Sequence, residues 1–517
     1  MKKLLLSLFL ATVSLSPAFA QQFALIRNTT FKNVGSTTTD FVAIPINQID
    51  KITYERGGED RLLPDQLATD PKTTIFSAAL QLTGLADTLR NHIYADYKQY
   101  GRYYYQAHYW LEVAWYNERR YRTYTVFAET DEVLASQGIT SLEQLRAYAK
   151  TVYDAVYPED AAITDPTDRR NSLNRFVAYH VLPQGLSYYY LTIYDGKELE
   201  KCVDRDLTDI AAWYATLMPH AAMKCSYPKM PEESADEGLY LNRRGLKDGP
   251  DRYGQLVRGA KILGDEAAGG FDHLCLNGCY FHIDRILTYD AQTRDNVLGG
   301  ELWRVDFKTL SPDIMNNADE LRGNYLADDD PSIPDDSYTP KNGRNYIYQW
   351  DALENFKANE DNRSLYLIAR RAHSNFWSWQ GDEVILFGQA DFTVKLPPLP
   401  AGEWEIRMSH VVLSDPTPPI KAYLNDQLVL DVANEQPKTL KGPKACCHFN
   451  SYGTTYRFSE NDAFQRYVLG RIQSDGKSDN YLRIYATPTS QRYYQTQLDY
   501  LEFVPKAIVD NTEIPEE

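Results

Sequence analysis

Basic charge is what this sequence has too little of. Its 54 lysines and arginines face 71 aspartates and glutamates, a formal net charge of −17 over 517 residues. No basic stripe can neutralise a phosphate backbone, so no nucleic acid is expected as a partner. Long apolar runs are missing too: beyond the first twenty residues no window approaches the length of a membrane span. No tract of biased composition occurs, which points away from fibrous and disordered classes. The sequence has no P-loop, no Rossmann glycine pattern, no G-x-S-x-G elbow and no H-E-x-x-H helix. Its nine histidines are scattered, and His273 and His282 straddle Asn277-Gly278 without metal-ligand spacing. The expectation is a protein that is not an enzyme, with no cofactor and no metal.

Cysteines are few: Cys202, Cys225, Cys275, Cys279, Cys446 and Cys447. In an oxidising compartment they can pair, with Cys202–Cys225 favoured and many connectivities left open. A zinc site from the last four is a poor match, because their spacings lack C-x2-C pairs.

Met1–Ala20 reads as a secretory signal peptide: Lys2 and Lys3, an apolar run from Leu4, then Ala18-Phe19-Ala20 as the cleavage site. Gln21 follows the cut, where a bacterial lipoprotein needs cysteine. An exported chain is expected, in the periplasm, on the outer surface or outside the cell. Its length suggests two or three domains. Tyrosine is abundant, at 39 residues, which suits strands, half-wet surfaces and stacking on sugars.

Residues 21–61 form a short β segment, with strand-like runs at Phe41–Ile46 and Ile49–Tyr54. Ile75, Ala79, Leu82, Leu85 and Leu89 then recur at helical spacing, broken at Thr83-Gly84. Tyr124–Phe127 alternate like a strand. Thr130 can cap the helix after it, Asp131 and Glu132 suit its first turn, and Gly138 can close it. Thr140–Glu143 offers a capping box for a helix with Leu142, Leu145, Ala149 and Val152 on one face. A further helix carries Leu173, Phe176, Val177 and His180 on one stripe, the usual setting of a satisfied core histidine. Asn277-Gly278 signals a turn, and Cys279, Phe281 and Ile283 alternate in the strand that follows.

Three stretches stand in a fixed order: YTVFAETDEVLASQGI (Tyr124–Ile139), YHVL (Tyr179–Leu182) and LNGCYFHIDRIL (Leu276–Leu287). They resemble the successive signatures of fasciclin-type domains, and Thr74–Leu89 is similar to the opening of such a domain. The resemblance covers residues 62–290 and implies an adhesion and binding module. Its motif residues here are Thr130, Asp131, Tyr179, His180, Asn277, Gly278 and Asp284. In animal members the segment matching Tyr179–Leu182 is implicated in integrin binding. This chain departs from the pattern at Glu129, where proline is common, and by insertions at Arg90–Arg122 and Met230–Gly254. The first insertion, with Tyr103, Tyr104 and Tyr105, reads as a hairpin-like recognition excursion or as a flap over core.

Residues 291–345 read as a linker and packing segment, with an exposed acidic loop at Leu326–Asp336. From 346 to 506 the pattern is β. Phe392, Val394 and Leu396 alternate, as do Trp404, Ile406 and Met408, and Tyr423–Asp426 reaches a tight turn. Strands at this spacing indicate an antiparallel sandwich. PAGEWEIR and LDYLEFVPK resemble jelly-roll, galactose-binding-like modules, and 507–517 is an acidic tail. The expected fold class is multidomain α+β: a fasciclin-type α/β domain followed by an antiparallel, jelly-roll-like β-sandwich.

Trp377 and Trp379 lie two apart in FWSWQGDE. In a strand they share a face, where they can stack on sugar rings while Asp382 or Glu383 bonds hydroxyls, or they are both core. The expected function is non-enzymatic: an exported cell-envelope protein that adheres or binds a protein or glycan ligand. The alternatives are a polysaccharide-processing hydrolase with its site on the sandwich, and a purely structural envelope component.

Overall fold

The computed structural model describes residues 23–27, 41–45, 61–93, 100–106, 110–116, 122–192, 210–227, 238–245, 249–251, 254–265, 270–318, 346–349, 354–359, 366–371, 382–387, 390–411, 420–431, 439–441, 464–486 and 495–510. The signal segment, the run Ile49–Tyr54, the loop Leu326–Asp336, Trp377, Trp379, Cys202, Cys446 and Cys447 lie outside the described residues.

The chain opens with β1 (Phe23–Arg27) and β2 (Phe41–Pro45), an antiparallel pair. Helices α1 (Leu63–Thr69), α2 (Thr74–Leu82) and α3 (Leu85–Arg90) precede the hairpin β3 (Tyr100–Gln106) and β4 (Trp110–Tyr116). Then come β5 (Tyr124–Glu129), α4 (Asp131–Ser136), α5 (Leu142–Val156), α6 (Ser172–Tyr179), β6 (Val181–Leu182) and α7 (Tyr188–Leu191). Strands β7 (Ile210–Ala215), β8 (Ala222–Tyr227), β9 (Tyr240–Leu241), β10 (Ala260–Leu263), β11 (His273–Cys275) and β12 (Gly278–Ile283) complete this half.

The second half begins with β13 (Trp303–Asp306), α8 (Pro312–Ala318), β14 (Tyr346–Gln349), β15 (Phe356–Ala358) and β16 (Tyr366–Arg371). It continues through β17 (Asp382–Phe387), β18 (Ala390–Lys395), β19 (Gly402–Val411), β20 (Ile420–Leu424), β21 (Gln427–Asp431) and β22 (Thr439–Lys441). Strands β23 (Phe464–Ser474), β24 (Tyr481–Ala486), β25 (Gln495–Pro505) and the short α9 (Lys506–Val509) end it.

Among the described residues, one sheet runs β6-β5-β12-β10-β9-β8-β7, with β11 paired to β12. Its centre is parallel: Tyr124 to Glu129 pair residue by residue with Gly278 to Ile283. All six residues of β5 are buried, as a strand covered on both faces requires. The close approach at its start admits only glycine. Gly278 has φ 135°, and a Cβ there would lie 1.9 Å from the Tyr124 carbonyl oxygen. The two-residue turn is therefore Leu276-Asn277, one position earlier than Asn277-Gly278, and Gly278 already belongs to β12.

The helices pack on this sheet through the patterned apolar residues. Ala79, Leu85, Leu89, Leu145, Ala149 and Phe176 are all fully buried, while Ile75, Leu82, Leu142 and Val152 are half-buried against the same core. Gly84 separates α2 from α3 at φ 70°, the left-handed turn its position suggests. Thr130 caps α4 by accepting from the Val133 N–H at 3.3 Å; α5 is capped by Ser141, which accepts from Gln144 N–H at 3.3 Å, one position later than the Thr140–Glu143 box places it. Gly138 closes α4 at φ 78°.

The second half is built from two antiparallel sheets. The larger runs β22-β23-β19-β25-β17-β16-β14-β3-β4, with β13 on β25; the smaller runs β15-β18-β24-β20-β21. Phe392, Val394, Ala422 and Ile484 of the smaller sheet and Trp404, Ile406, Met408 and Leu501 of the larger join one buried apolar cluster. Asn425 and Asp426 both take positive φ, 47° and 66°, in the tight turn between β20 and β21.

Two segments go where sequence patterning did not place them. The tyrosine-rich insertion is a hairpin, but it extends the larger sheet of the second half, with Arg102 opposite Tyr346. Within the segment 291–345, Trp303–Asp306 is a strand paired to Phe503–Tyr500. Trp303 then bridges the halves, stacked on Trp213 at 6.2 Å and edge-on to Trp404 at 5.6 Å. No helix among the described residues is long and apolar enough to cross a membrane.

Candidate functional site

The motif residues of the first half are structural ties. Asp131, expected to serve its own helix, instead accepts from the Thr74 and Ile75 backbone N–H groups at 3.2 and 3.0 Å, so it caps α2. Asn277 is buried; its Oδ1 accepts from Leu63 N–H at 2.8 Å, and its Nδ2 donates to the Leu89 carbonyl at 2.7 Å. Tyr179 donates to the Ala222 carbonyl at 3.1 Å and accepts from Asn242 at 2.8 Å. Asp284 accepts from Lys261 N–H at 2.8 Å and pairs with Arg258 at 2.7 Å. His180 is fully buried between the Phe176 carbonyl, 2.7 Å from Nδ1, and Glu129, 2.8 Å from Nε2.

The sandwich candidates are not brought together among the described residues. Asp382 opens β17 opposite Arg371, Tyr103, Tyr104 and Tyr105 lie in β3, and the tryptophan pair is outside the described residues.

A different cluster forms on the β11–β12 hairpin. The register sets His273 opposite Tyr280, two residues from His282 on the same strand, so all three lie on one face. Asp265, bridged to Gly270 just before the hairpin, brings its Oδ2 to 3.5 Å from His273 Nε2 and 3.6 Å from His282 Nδ1. Asp70, at the end of α1, accepts from His282 Nε2 at 2.8 Å and from the Tyr280 hydroxyl at 3.0 Å. Lys72 reaches Asp265 Oδ2 from the same turn at 2.8 Å.

This cluster overturns the expectation that His273 and His282 are too badly spaced to act together. Linear spacing was the wrong measure, because a hairpin makes diagonal neighbours of residues on its two strands. Projecting the register outward from the turn would have found the pair. Asp70, Lys72 and Asp265 left no comparable signal.

The electrostatics favour ligand forms. Burial pushes Asp70 up, but hydrogen bonds from His282, the Lys72 backbone and Tyr280, with the His282 charge, outweigh it and hold the carboxyl at about 2. Asp70 is therefore ionised and accepts from His282 Nε2, so Nδ1 is the ring nitrogen that faces Asp265. Burial, reinforced by His282, pulls His273 down to about 4, so its imidazole is neutral at pH 7. His273 Nε2 is buried without a hydrogen-bond partner. Burial pushes the nearby Cys275 thiol up to about 12, and the Cys279 thiol donates to the Leu186 carbonyl at 3.0 Å. The first is no thiolate, and the second is occupied as a donor.

No family model matches the chain, and no curated protein matches it in sequence. Three solved structures show distant similarity. A xanthan lyase from Paenibacillus aligns over 31% of this chain and 13% of its own length, at 9% identity and TM-score 0.19. A family 35 carbohydrate binding module from Clostridium thermocellum aligns over 31% of this chain and 96% of its own length, at 11% identity and TM-score 0.15. The insecticidal crystal protein Cry2Aa aligns over 73% of this chain and 69% of its own length, at 9% identity and TM-score 0.19. The chain thus spans only a small part of the lyase, and superpositions of this quality carry no argument for shared fold or function.

Proposed function

We propose that this chain is a non-enzymatic, exported cell-envelope protein whose fasciclin-like first half and jelly-roll-like second half bind a protein or glycan ligand. One observation carries the reading. The stretches Tyr124–Ile139, Tyr179–Leu182 and Leu276–Leu287 converge in space, with β5 paired to β12 on one side and to β6 on the other. An ordered set of motifs with a shared core is what a fasciclin-type module requires. Motif residues that cap helices and fasten turns suit a scaffold that presents surface rather than one that performs chemistry.

The second half supplies the ligand-facing part of the proposal. The hairpin bearing Tyr103, Tyr104 and Tyr105 lengthens its larger sheet, and tyrosine-rich strands suit stacking on sugars. Asp391, Glu403, Glu405, Asp431 and Glu502 are each held by arginine or lysine. Carboxylates so engaged favour the binding reading over glycoside hydrolysis, which needs an opposed acid and base or nucleophile pair.

The test is a broad glycan panel probed with the whole chain from Gln21, because β3, β4 and β13 come from outside 346–506. Binding that Trp377→Ala and Trp379→Ala weaken supports the glycan arm. Absence of binding to every glycan sinks that arm and leaves the protein ligand.

A further inference from the structure

We propose that Asp265, His273 and His282 form a site for one divalent cation of the zinc class, with the Lys72 ammonium holding its place until the metal enters. This goes beyond the adhesion reading and stands without it.

The distances carry the argument first. The candidate ligand atoms of the three residues all lie within 4.8 Å of one another. Two of the separations, 3.5 and 3.6 Å, run from Asp265 Oδ2 to the two imidazole nitrogens. A tetrahedral zinc ion with bonds of about 2.0–2.1 Å sets its ligands roughly 3.4 Å apart. Two edges of the coordination polyhedron are therefore nearly at length.

Hydrogen bonding carries it second. His282 gives Nε2 to Asp70, which turns Nδ1 toward Asp265. His273 Nε2 is buried beside the same carboxylate, too far away to hydrogen-bond with it. A self-contained polar network would have used that nitrogen. An arrangement awaiting a cation would not.

The surroundings supply what a metal site needs beyond its ligands. Asp70 orients His282, and the Tyr280 hydroxyl and Lys72 backbone N–H in turn fix Asp70. The His273 ring is stacked on Tyr280 at 4.4 Å and lies 4.5 Å from the His282 ring, so both ligands are set before binding. Lys72 has a half-exposed side chain, and its ammonium can leave Asp265 for water. Two imidazoles and one carboxylate select zinc, cobalt(II) or a neighbouring transition metal over magnesium or calcium. Three protein ligands leave a fourth position for water or an external donor.

The untagged full chain, stripped with a chelator, is titrated with zinc chloride by calorimetry and with cobalt(II) by visible absorption. One equivalent of zinc binds, cobalt(II) gives a tetrahedral spectrum, and magnesium and calcium do not compete. Asp70→Asn weakens binding by roughly 10–100-fold, and His273→Ala or His282→Ala by more. Lys72→Met strengthens it, a gain that misfolding cannot produce. No zinc binding by the parent chain, or undiminished binding when both histidines are replaced, overturns the site. Weaker binding by Lys72→Met overturns the role given to the lysine.

Discussion

His180 Nε2 lies 2.8 Å from Glu129 Oε1, and both side chains are wholly shielded from solvent. His180 Nδ1 donates to the Phe176 carbonyl, an acceptor only, while Nε2 faces the carboxylate. Glu129 Oε1 also accepts from the Leu287 N–H at 2.9 Å, which ties β5 to the chain after β12. Glu129→Ala strands both partners and is expected to destabilise by about 3–5 kcal/mol. Glu129→Gln keeps an amide oxygen for the Leu287 N–H and fills the same volume, and should lose clearly less. Urea unfolding of the two variants decides; equal losses would show that the tie to Leu287 is not what the side chain contributes.

Gly278→Ala is the sharpest test of the parallel β5–β12 pairing. The new methyl meets the Tyr124 carbonyl oxygen at 1.9 Å, on a backbone already at φ 135°. Clash and strain together should destabilise by roughly 2–5 kcal/mol. A variant that unfolds at the parent's urea midpoint would refute the close approach.

Glu502 is fully buried beneath three arginines: Arg304 at 2.7 Å, Arg466 at 2.8 Å and Arg407 at 3.7 Å. Burial pushes its carboxyl up, but Arg304, Arg466 and Arg407 outweigh that and hold it below its ordinary value. Glu502→Ala leaves uncompensated buried charge and should destabilise the second half by about 3–5 kcal/mol. Proteolysis of that half, compared between parent and variant, reads the effect; unchanged resistance counts against it.

Asp475 accepts from the Lys477 and Ser478 N–H groups at 2.8 and 2.7 Å and from the Ser478 hydroxyl at 2.7 Å. The Lys477 backbone bond leads in lowering its carboxyl from 3.8 to about 2. Because the folded value is depressed, the stabilisation is present above pH 3.8 and is lost as pH falls toward about 2. The difference in melting temperature between parent and Asp475→Asn should be constant above pH 4 and shrink below it. A difference independent of pH throughout would falsify the assignment.

Local chemistry was legible in the sequence wherever a residue acts on its chain neighbours. Thr130 caps a helix, Gly84 separates two others, and Asn425-Asp426 makes a turn, each within a few residues of its partner. Alternation in Phe392–Val394 and Trp404–Met408 likewise marks the buried face of its strand. What escaped depends on register and distance. His273 and His282 become neighbours through a hairpin, and Asp70 joins them from 212 positions away. Asp131 suits its own helix by every local rule, yet its carboxylate is spent on α2. The destination of the hairpin β3–β4 was hidden for another reason: strand pairing uses backbone groups that every residue carries.

That hairpin also sets an order of events for a chain made from its N-terminus. Arg102 pairs with Tyr346, and Val305 pairs with Leu501, so strands made early wait for partners made late. Their edges stay open in the interval, and open edges invite pairing with other chains. The larger sheet closes only when β25, bonded to β13, β17 and β19, has emerged. Truncation within the last two dozen residues should therefore unsettle strands hundreds of positions upstream, and nascent chains should need shelter until synthesis is complete.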